Sequence, residues 1–201
     1  MQDVHAGMTV GGILAQSARR FPRKTALVFE QQRLTYAQLD ERSNRLSHGL
    51  IALGAARGVK VALLARNCTE WVVAHFAVAK SGATLVPVNF LFVAREIEYV
   101  LDNAEAQILL VSAEFLDTAK GLLPRLPRLR TLVTLHGPAP AGGAAMEELI
   151  AAHAADAPPA TVDENDAYTI MYTSGTTGRP KGVVSSHRSR VHVAFQGITD
   201  Y

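Results

Sequence analysis

The feature that most constrains the fold of this chain is an alternation of short apolar, β-branched runs with longer segments of helical period. The apolar runs occupy residues 59–65, 84–88, 107–111 and 131–135. This order is typical of βα units and predicts an α/β fold, with mostly parallel sheets flanked by helices. A chain of 201 residues, 48% hydrophobic and 19% charged, can bury the core that such a fold requires.

Capping signals predict where several helices begin and end. Thr35 and Gln38 have the spacing of a capping box, and Asn67 with Glu70 is expected to cap the helix that follows the run at 59–65. Gly82 lies where that helix should stop. These signals agree with the alternation of strands and helices.

Proline and glycine predict two interruptions of the regular pattern. Pro87 cannot donate a ladder hydrogen bond, which places its end of the strand at a sheet edge or a strand terminus. Residues 137–165 are rich in Ala, Gly and Pro, apart from an amphipathic stretch near residues 146–153, and predict a surface excursion.

Charge and cysteine content exclude some classes of function. The 20 basic and 18 acidic residues are scattered along the chain, which argues against a nucleic-acid partner. The single cysteine, Cys68, cannot form an intramolecular disulfide, so a reducing, cytoplasmic location is expected. No secretory leader is predicted, because residues 1–12 lack a basic segment followed by an apolar run. No membrane span is predicted either, because the most apolar helix candidate, residues 71–79, is interrupted by His75.

The strongest chemical signal follows a predicted strand at residues 168–172. Residues 173–182 contain four hydroxyl side chains, three glycines and Lys181. Glycine amides can approach an anion closely, hydroxyl groups donate hydrogen bonds, and the lysine supplies a compact positive charge. Composition alone leaves two interpretations open, a phosphate-binding loop and an ordinary turn.

Four other interpretations of the sequence are rejected or weaker. A P-loop requires glycine five residues after its first glycine, but Pro180 follows Gly175 at that spacing and Val183 follows Gly178. His187 follows two serines without an identifiable acidic partner, so it is interpreted as a structural histidine. Cys68 is likewise interpreted as a packing residue. The spacing of four other histidines is too dispersed to predict a metal site; they are His48, His75, His136 and His153.

The run from Tyr172 to Val183 resembles the signature [YF]-T-S-G-T-T-G-x-P-K-G-V of the adenylate-forming enzymes, which include acyl-CoA synthetases, nonribosomal adenylation domains and firefly luciferase. The similarity extends upstream in the family's order, through Leu34-Thr35-Tyr36, Val61-Ala62-Leu63-Leu64, Trp71, Lys80-Ser81-Gly82-Ala83 and Val86-Pro87-Val88-Asn89. The chain therefore resembles the N-terminal portion of an AMP-forming acyl-CoA synthetase. On this interpretation, residues 1–201 are a partial N-terminal AMP-binding domain with its phosphate loop at 172–184, and the C-terminal lid domain is absent.

The resemblance implies an ATP-dependent ligase in which a carboxylate attacks the α-phosphate of ATP and coenzyme A then displaces AMP. The loop would hold the β- and γ-phosphates, with Lys181 as the catalytic cation that stabilises the departing pyrophosphate. Mg²⁺ would bridge the phosphates, with Thr173 as a ligand. The expected phosphate-binding residues are Thr173, Ser174, Gly175, Thr176, Thr177, Gly178 and Lys181.

The resemblance also implies contacts to adenine, acyl group and coenzyme A in segments beyond this chain. We therefore expect the chain to be inactive by itself, although its parent would be a ligase acting on a carboxylic acid, with a fatty acid as the expected substrate. The alternative is a non-catalytic, truncated protein that binds nucleotide or pyrophosphate weakly or acts through a partner. The acid and the oligomeric state are left open.

Overall fold

A computed structural model, which describes residues 8–173 and 180–199, has an α/β architecture. The helices are α1 (Val10–Arg20), α2 (Tyr36–Ala52), α3 (Thr69–Ser81), α4 (Ala94–Asn103), α5 (Leu116–Leu122), α6 (Met146–Ala152) and α7 (His187–Thr199). The strands are β1 (Thr25–Phe29), β2 (Gln32–Thr35), β3 (Lys60–Leu64), β4 (Thr84–Val88), β5 (Ile108–Val111), β6 (Thr131–Thr134), β7 (Ala144–Ala145), β8 (Ala167–Thr173) and β9 (Lys181–Ser186). None of the helices in these ranges is long and apolar enough to span a membrane.

Within the described residues, the main sheet has seven strands in the order β7-β6-β5-β3-β4-β8-β9. Neighbouring strands are parallel except β8 and β9, which are antiparallel. A separate antiparallel hairpin joins β1 to β2. The predicted fold, a mostly parallel sheet flanked by helices, is confirmed.

The core lies on both faces of the sheet because successive side chains of a strand point to opposite sides. In β3, Val61 and Leu63 pack in one cluster with α1, α2, α3 and α6. Ala62 and Leu64 pack in the other with α4 and α5. All four side chains are fully buried, so β3 is a central strand of the molecule.

The ends of the helices largely follow the predicted signals. Thr35 and Gln38 form a complete capping box at the start of α2, and Gly82 ends α3 in the left-handed conformation with φ of 79°. The prediction that Asn67 caps α3 is wrong, because the N-cap is Cys68. The thiol sulfur of Cys68 accepts a hydrogen bond from the Trp71 N–H at 3.3 Å.

The predicted surface excursion at 137–165 contains part of the core. β7 extends the main sheet beside β6, and α6 packs against α2. Met146 and Ile150 of α6 are buried in the same cluster as Leu46. The prediction is wrong for this part because the apolar face of the amphipathic stretch covers α2 rather than remaining at the surface.

The prediction for Pro87 is confirmed only in its strand-terminus form. β4 is an interior strand between β3 and β8, and Pro87 is its penultimate residue. The register of β4 with β8 is limited to Leu85 opposite Thr169. A proline is therefore tolerated beside a short stretch of pairing.

A buried ion pair joins α3 to α2. The ammonium of Lys80 donates to Asp40 Oδ1 and to Asn44 Oδ1, each at 2.5 Å. Burial lowers the pKa of Lys80, and the carboxylate of Asp40 opposes that shift. Hydrogen bonds to Asp40 and Asn44 compensate the desolvation of the Lys80 ammonium group. The ion pair therefore holds together α2 and α3, two helices that cover one face of the sheet.

Candidate functional site

The candidate loop connects the antiparallel strands β8 and β9. Thr173, the last residue of β8, lies opposite Lys181, the first residue of β9, and Tyr172 lies opposite Gly182. Both Thr173 and Lys181 are exposed. The structure thus brings together two of the predicted phosphate-binding residues at the base of one hairpin. The others lie outside the described residues; they are Ser174, Gly175, Thr176, Thr177 and Gly178.

The sheet topology determines where this hairpin lies. β8 runs parallel to β4, so Thr173 is at the edge where the parallel strands of the main sheet have their carboxyl ends. The Thr84 hydroxyl donates to the Ala167 carbonyl at 3.1 Å and supports the alignment of β8 beside β4. Ligands of open α/β sheets bind at this edge, which makes it a suitable position for an anion-binding turn.

Two tyrosines hold the hairpin against α4. The hydroxyl of Tyr99 donates to the carbonyl of Pro180 at 3.1 Å, and the hydroxyl of Tyr172 donates to Asn103 Oδ1 at 2.7 Å. Their rings meet edge to face, with centroids 6.5 Å apart. Burial raises the pKa of Tyr172, with a further contribution from Tyr99, so its hydroxyl remains a proton donor at neutral pH.

This brace fixes the backbone on both sides of the candidate loop. Sequence reasoning does not find it, because Tyr99 and Asn103 belong to a helix distant in sequence and their spacing fits an ordinary amphipathic helix. Tyr172 is part of the family signature, but the signature alone does not reveal that its hydroxyl reaches α4.

Gly182 allows the two strands to pack closely beside the brace. A β-carbon at this position would lie 2.9 Å from Ile170 Cγ2 and 3.1 Å from the Tyr172 ring. A larger residue would therefore displace the ring that holds Asn103. The glycine contributes to the shape of the hairpin as well as to the signature.

His187 and Cys68 both have structural contacts. His187 is fully buried, and its Nδ1 accepts a hydrogen bond from the Val10 N–H at 3.3 Å. Its ring packs against Tyr168, with centroids 5.0 Å apart. Cys68 caps α3.

The arrangement can bind an anion. Lys181 and Thr173 present an ammonium group and a hydroxyl group from paired strand ends, and the aromatic brace holds the backbone that carries them. A cation and hydroxyl donors that are positioned in advance can stabilise the oxygens of a polyphosphate. Neither side chain needs to act as a nucleophile in this arrangement.

Comparison with known proteins identifies the family of this chain. Residues 14–200 match the family described as AMP-binding enzyme. Over 187 residues the chain is 37% identical to a medium/long-chain-fatty-acid–CoA/3-oxocholest-4-en-26-oate–CoA ligase of Mycobacterium tuberculosis, covering 90% of this chain and 33% of that ligase. The chain thus spans about a third of the length of this curated relative.

Solved structures show the same relationship. An anthranilate CoA ligase, AuaEII, in complex with anthranoyl-AMP superposes with a TM-score of 0.85 at 30% identity, covering 90% of this chain and 35% of that one. The N-terminal domain of FACL13 from Mycobacterium tuberculosis superposes with a TM-score of 0.80 at 32% identity, covering 89% of this chain and 44% of that one. The chain therefore belongs to the AMP-binding enzyme family and corresponds to the N-terminal region of its acyl-CoA ligases.

Proposed function

We propose that this chain forms the ATP-binding part of an AMP-forming acid–CoA ligase and that the β8–β9 turn holds the β- and γ-phosphates of ATP. The observation that carries the proposal is the pairing of Thr173 with Lys181 at the carboxyl edge of the parallel sheet. The names of the related CoA ligases support the reaction class. The chain spans about a third of the length of the Mycobacterium tuberculosis ligase, and we propose that it is inactive by itself.

The proposed reaction has two steps. A carboxylate oxygen of the acid attacks the α-phosphorus of ATP, the bond to the bridging oxygen breaks, and pyrophosphate leaves. The thiol of coenzyme A then loses its proton to solvent and its sulfur attacks the acyl carbonyl carbon, and AMP leaves with the electron pair of the broken acyl–oxygen bond. Lys181 would offset the negative charge that accumulates on the departing pyrophosphate. The hydroxyl of Thr173 would donate a hydrogen bond to the pyrophosphate or coordinate the Mg²⁺ ion beside it.

A magnesium ion fits this position because Thr173 offers an oxygen ligand. Mg²⁺ prefers oxygen ligands and usually keeps several waters together with substrate phosphates, so a protein hydroxyl could supply one of its ligands. Thr173 offers such a hydroxyl, exposed at the end of β8. When bound, the ion would neutralise phosphate charge, while Lys181 holds the same phosphates from β9.

An apolar cavity beside the hairpin supports a fatty acid as the substrate. The cavity has a volume of about 480 Å³ and lies between α3, β8 and α7, with Trp71, Phe76, Met171 and Val191 among its lining residues. An apolar wall next to the site of phosphate binding suits an acid with a hydrocarbon chain.

The single cysteine supports the cytoplasm as the proposed location.

A second candidate function is non-catalytic: weak binding of nucleotide or pyrophosphate, or action through a partner. Several large apolar side chains on β9 and α7 favour it because they are exposed to solvent, as expected of a surface that another polypeptide covers. They are Val183, Val184, Val193 and Phe195.

Calorimetric titration of the purified chain with Mg-ATP and with pyrophosphate tests the proposed site. Lys181→Ala should weaken the affinity for pyrophosphate about tenfold or more, since a charge-assisted hydrogen bond contributes about 1.5–3 kcal/mol. Lys120→Ala is the matched control, because Lys120 is a partly exposed lysine on α5, away from the hairpin. Equal affinities in all three proteins would contradict the assignment of Lys181.

Carboxylate-dependent exchange of pyrophosphate into ATP distinguishes the two functions. A longer protein that includes the downstream sequence should catalyse this exchange and lose it with Lys181→Ala. If it binds ATP but catalyses no exchange with any acid tested, the ligase proposal fails and the non-catalytic function is retained.

A further inference from the structure

Three side chains with different metal-ligating groups meet away from the hairpin. The thiol of Cys68, the carboxylate of Glu70 and the imidazole of His136 each offer a ligand atom, and these atoms all lie within 4.8 Å of one another. His136 Nε2 and Glu70 Oε2 are 3.4 Å apart. Histidine spacing in the sequence does not predict this cluster, because only one of its members is a histidine.

The topology of the sheet brings these residues together. Cys68 and Glu70 follow β3 at the start of α3, and His136 follows β6. Both strands are parallel to β5, which lies between them, so the segments after them meet at the carboxyl edge of the sheet. This edge is the usual position of ligand sites in parallel α/β sheets.

The backbone around each of the three side chains is already held in place. Cys68 is the N-cap of α3, and Glu70 is in its first turn. On the other side, the hydroxyl of Thr134 donates to the carbonyl of Pro138 at 3.0 Å, and Gly137 has φ of 81°, which closes the turn that carries His136. Binding would thus require small adjustments of side chains rather than refolding of a loop.

The cluster combines a buried side with an open side. Glu70 is buried, Cys68 is partly buried and His136 is half-exposed. The buried hydroxyl groups of Thr69 and Ser112, which begin α3 and follow β5, have no hydrogen-bond partner within the described part of the chain. Three protein ligands with one side open to solvent match the coordination of an exchangeable zinc site.

We propose that Cys68, Glu70 and His136 bind one zinc ion, with a water molecule as the fourth ligand. A thiolate and an imidazole select zinc over magnesium or calcium, which prefer oxygen ligands. Zinc–ligand bonds of about 2.0–2.3 Å require the three ligand atoms to lie closer together than 4.8 Å. Rotation of the exposed His136 imidazole can bring them closer. The ion would tie the segment after β6 to the start of α3.

The test uses the full chain, freed of metal in reducing buffer. Cobalt replaces zinc in such sites and reports sulfur ligation through a thiolate-to-metal charge-transfer band. We expect this band, one zinc ion per chain in competition with a chromophoric chelator, and a higher unfolding temperature with zinc. Cys68→Ser and His136→Ala should each weaken zinc binding about 100-fold or more, since loss even of an outer-shell partner costs about 10–100-fold.

A conservative variant, its replacement and a control keep the test independent of folding. Serine is a favourable N-cap residue, so Cys68→Ser should preserve the start of α3; if circular dichroism shows that it does not, Glu70→Gln replaces it. His192→Ala is the matched control, because His192 is an exposed histidine on α7. Cobalt binding without the charge-transfer band, unchanged affinity in Cys68→Ser, or an equal loss in His192→Ala would each overturn the proposal.

Discussion

His187 is a buried side chain whose protonation opposes folding. Burial lowers its pKa to about 4, while the carboxylate of Asp166 favours the protonated form. Because Nδ1 accepts the Val10 N–H, protonation there would also remove an acceptor. Burial likewise lowers the pKa of His75 to about 4; one of its ring nitrogens lies 2.6 Å from the hydroxyl of Tyr168.

We expect the free energy of unfolding to fall as the pH is lowered from 6.5 to about 4. In the unfolded chain each of these two histidines has the ordinary pKa of 6.5, so it binds a proton in this window. In the folded chain each has a pKa of about 4 and stays neutral. Each histidine contributes up to about 1.4 kcal/mol per pH unit, and the contribution is fully present above this window. Urea unfolding across the range measures the slope.

The variant His187→Asn keeps an acceptor near Val10 but does not titrate, so it should remove about half of that slope. A slope in His187→Asn equal to that of the parent protein would show that His187 is not the group responsible.

At the scale of elements, the β8–β9 hairpin was only partly predictable. The apolar residues at 168–172 predict β8, but β9 (Lys181–Ser186) lacks the alternation of a half-buried strand and forms by pairing with β8. Such a strand depends on its neighbour more than on its own propensity. The candidate loop was recognised from its residue types, whereas its brace by Tyr99 depends on contacts between distant segments.

Gly182→Ala should destabilise the hairpin and weaken pyrophosphate binding together. The added methyl group would meet Ile170 at 2.9 Å and the Tyr172 ring at 3.1 Å, so the ring would move away from Asn103. We expect a loss of about 1–3 kcal/mol in the free energy of unfolding, as for other overpacked sites. Urea unfolding and calorimetric titration measure the two effects.

Gly121→Ala is the matched control for this substitution. Gly121 lies in α5, and nothing stands within 4 Å of the position its β-carbon would take. Alanine there should increase stability by up to about 1 kcal/mol, as expected within a helix, and leave pyrophosphate affinity unchanged. If Gly182→Ala behaved in the same way, the close packing at the hairpin would not hold the site.

At the scale of the whole molecule, local sequence patterns predict individual elements better than they predict the order in which the strands pair. Apolar runs predict the parallel strands β3, β4, β5, β6 and β8, and capping signals predict the start of α2 and the end of α3, whereas these signals do not identify α1 or α7. They did not predict the order β7-β6-β5-β3-β4-β8-β9, because strand order depends on pairings between distant segments. The same limit explains why the sequence places Met146 in a surface excursion and does not group Cys68, Glu70 and His136.

Burial is distributed unevenly across this sheet. β3 is covered on both faces and paired on both edges, whereas β9 is paired only with β8 among the described strands and is mostly exposed. Regions with few buried contacts open locally, at a lower free energy than global unfolding requires. The candidate phosphate site thus lies at the less protected side of the molecule.

Hydrogen–deuterium exchange should therefore show a gradient across the sheet that a phosphate ligand reduces. The amides of β3 and β5 should exchange only through global unfolding. The amides of β9 should exchange faster than these, because they become exposed through local opening. Saturating pyrophosphate should slow exchange in β9 about tenfold or more, since a bound ligand stabilises the closed state. The β1–β2 hairpin provides the internal control, because it belongs to a separate sheet. Slowing of β9 alone would place the ligand at the hairpin, whereas uniform slowing of both hairpins or none at all would contradict binding there.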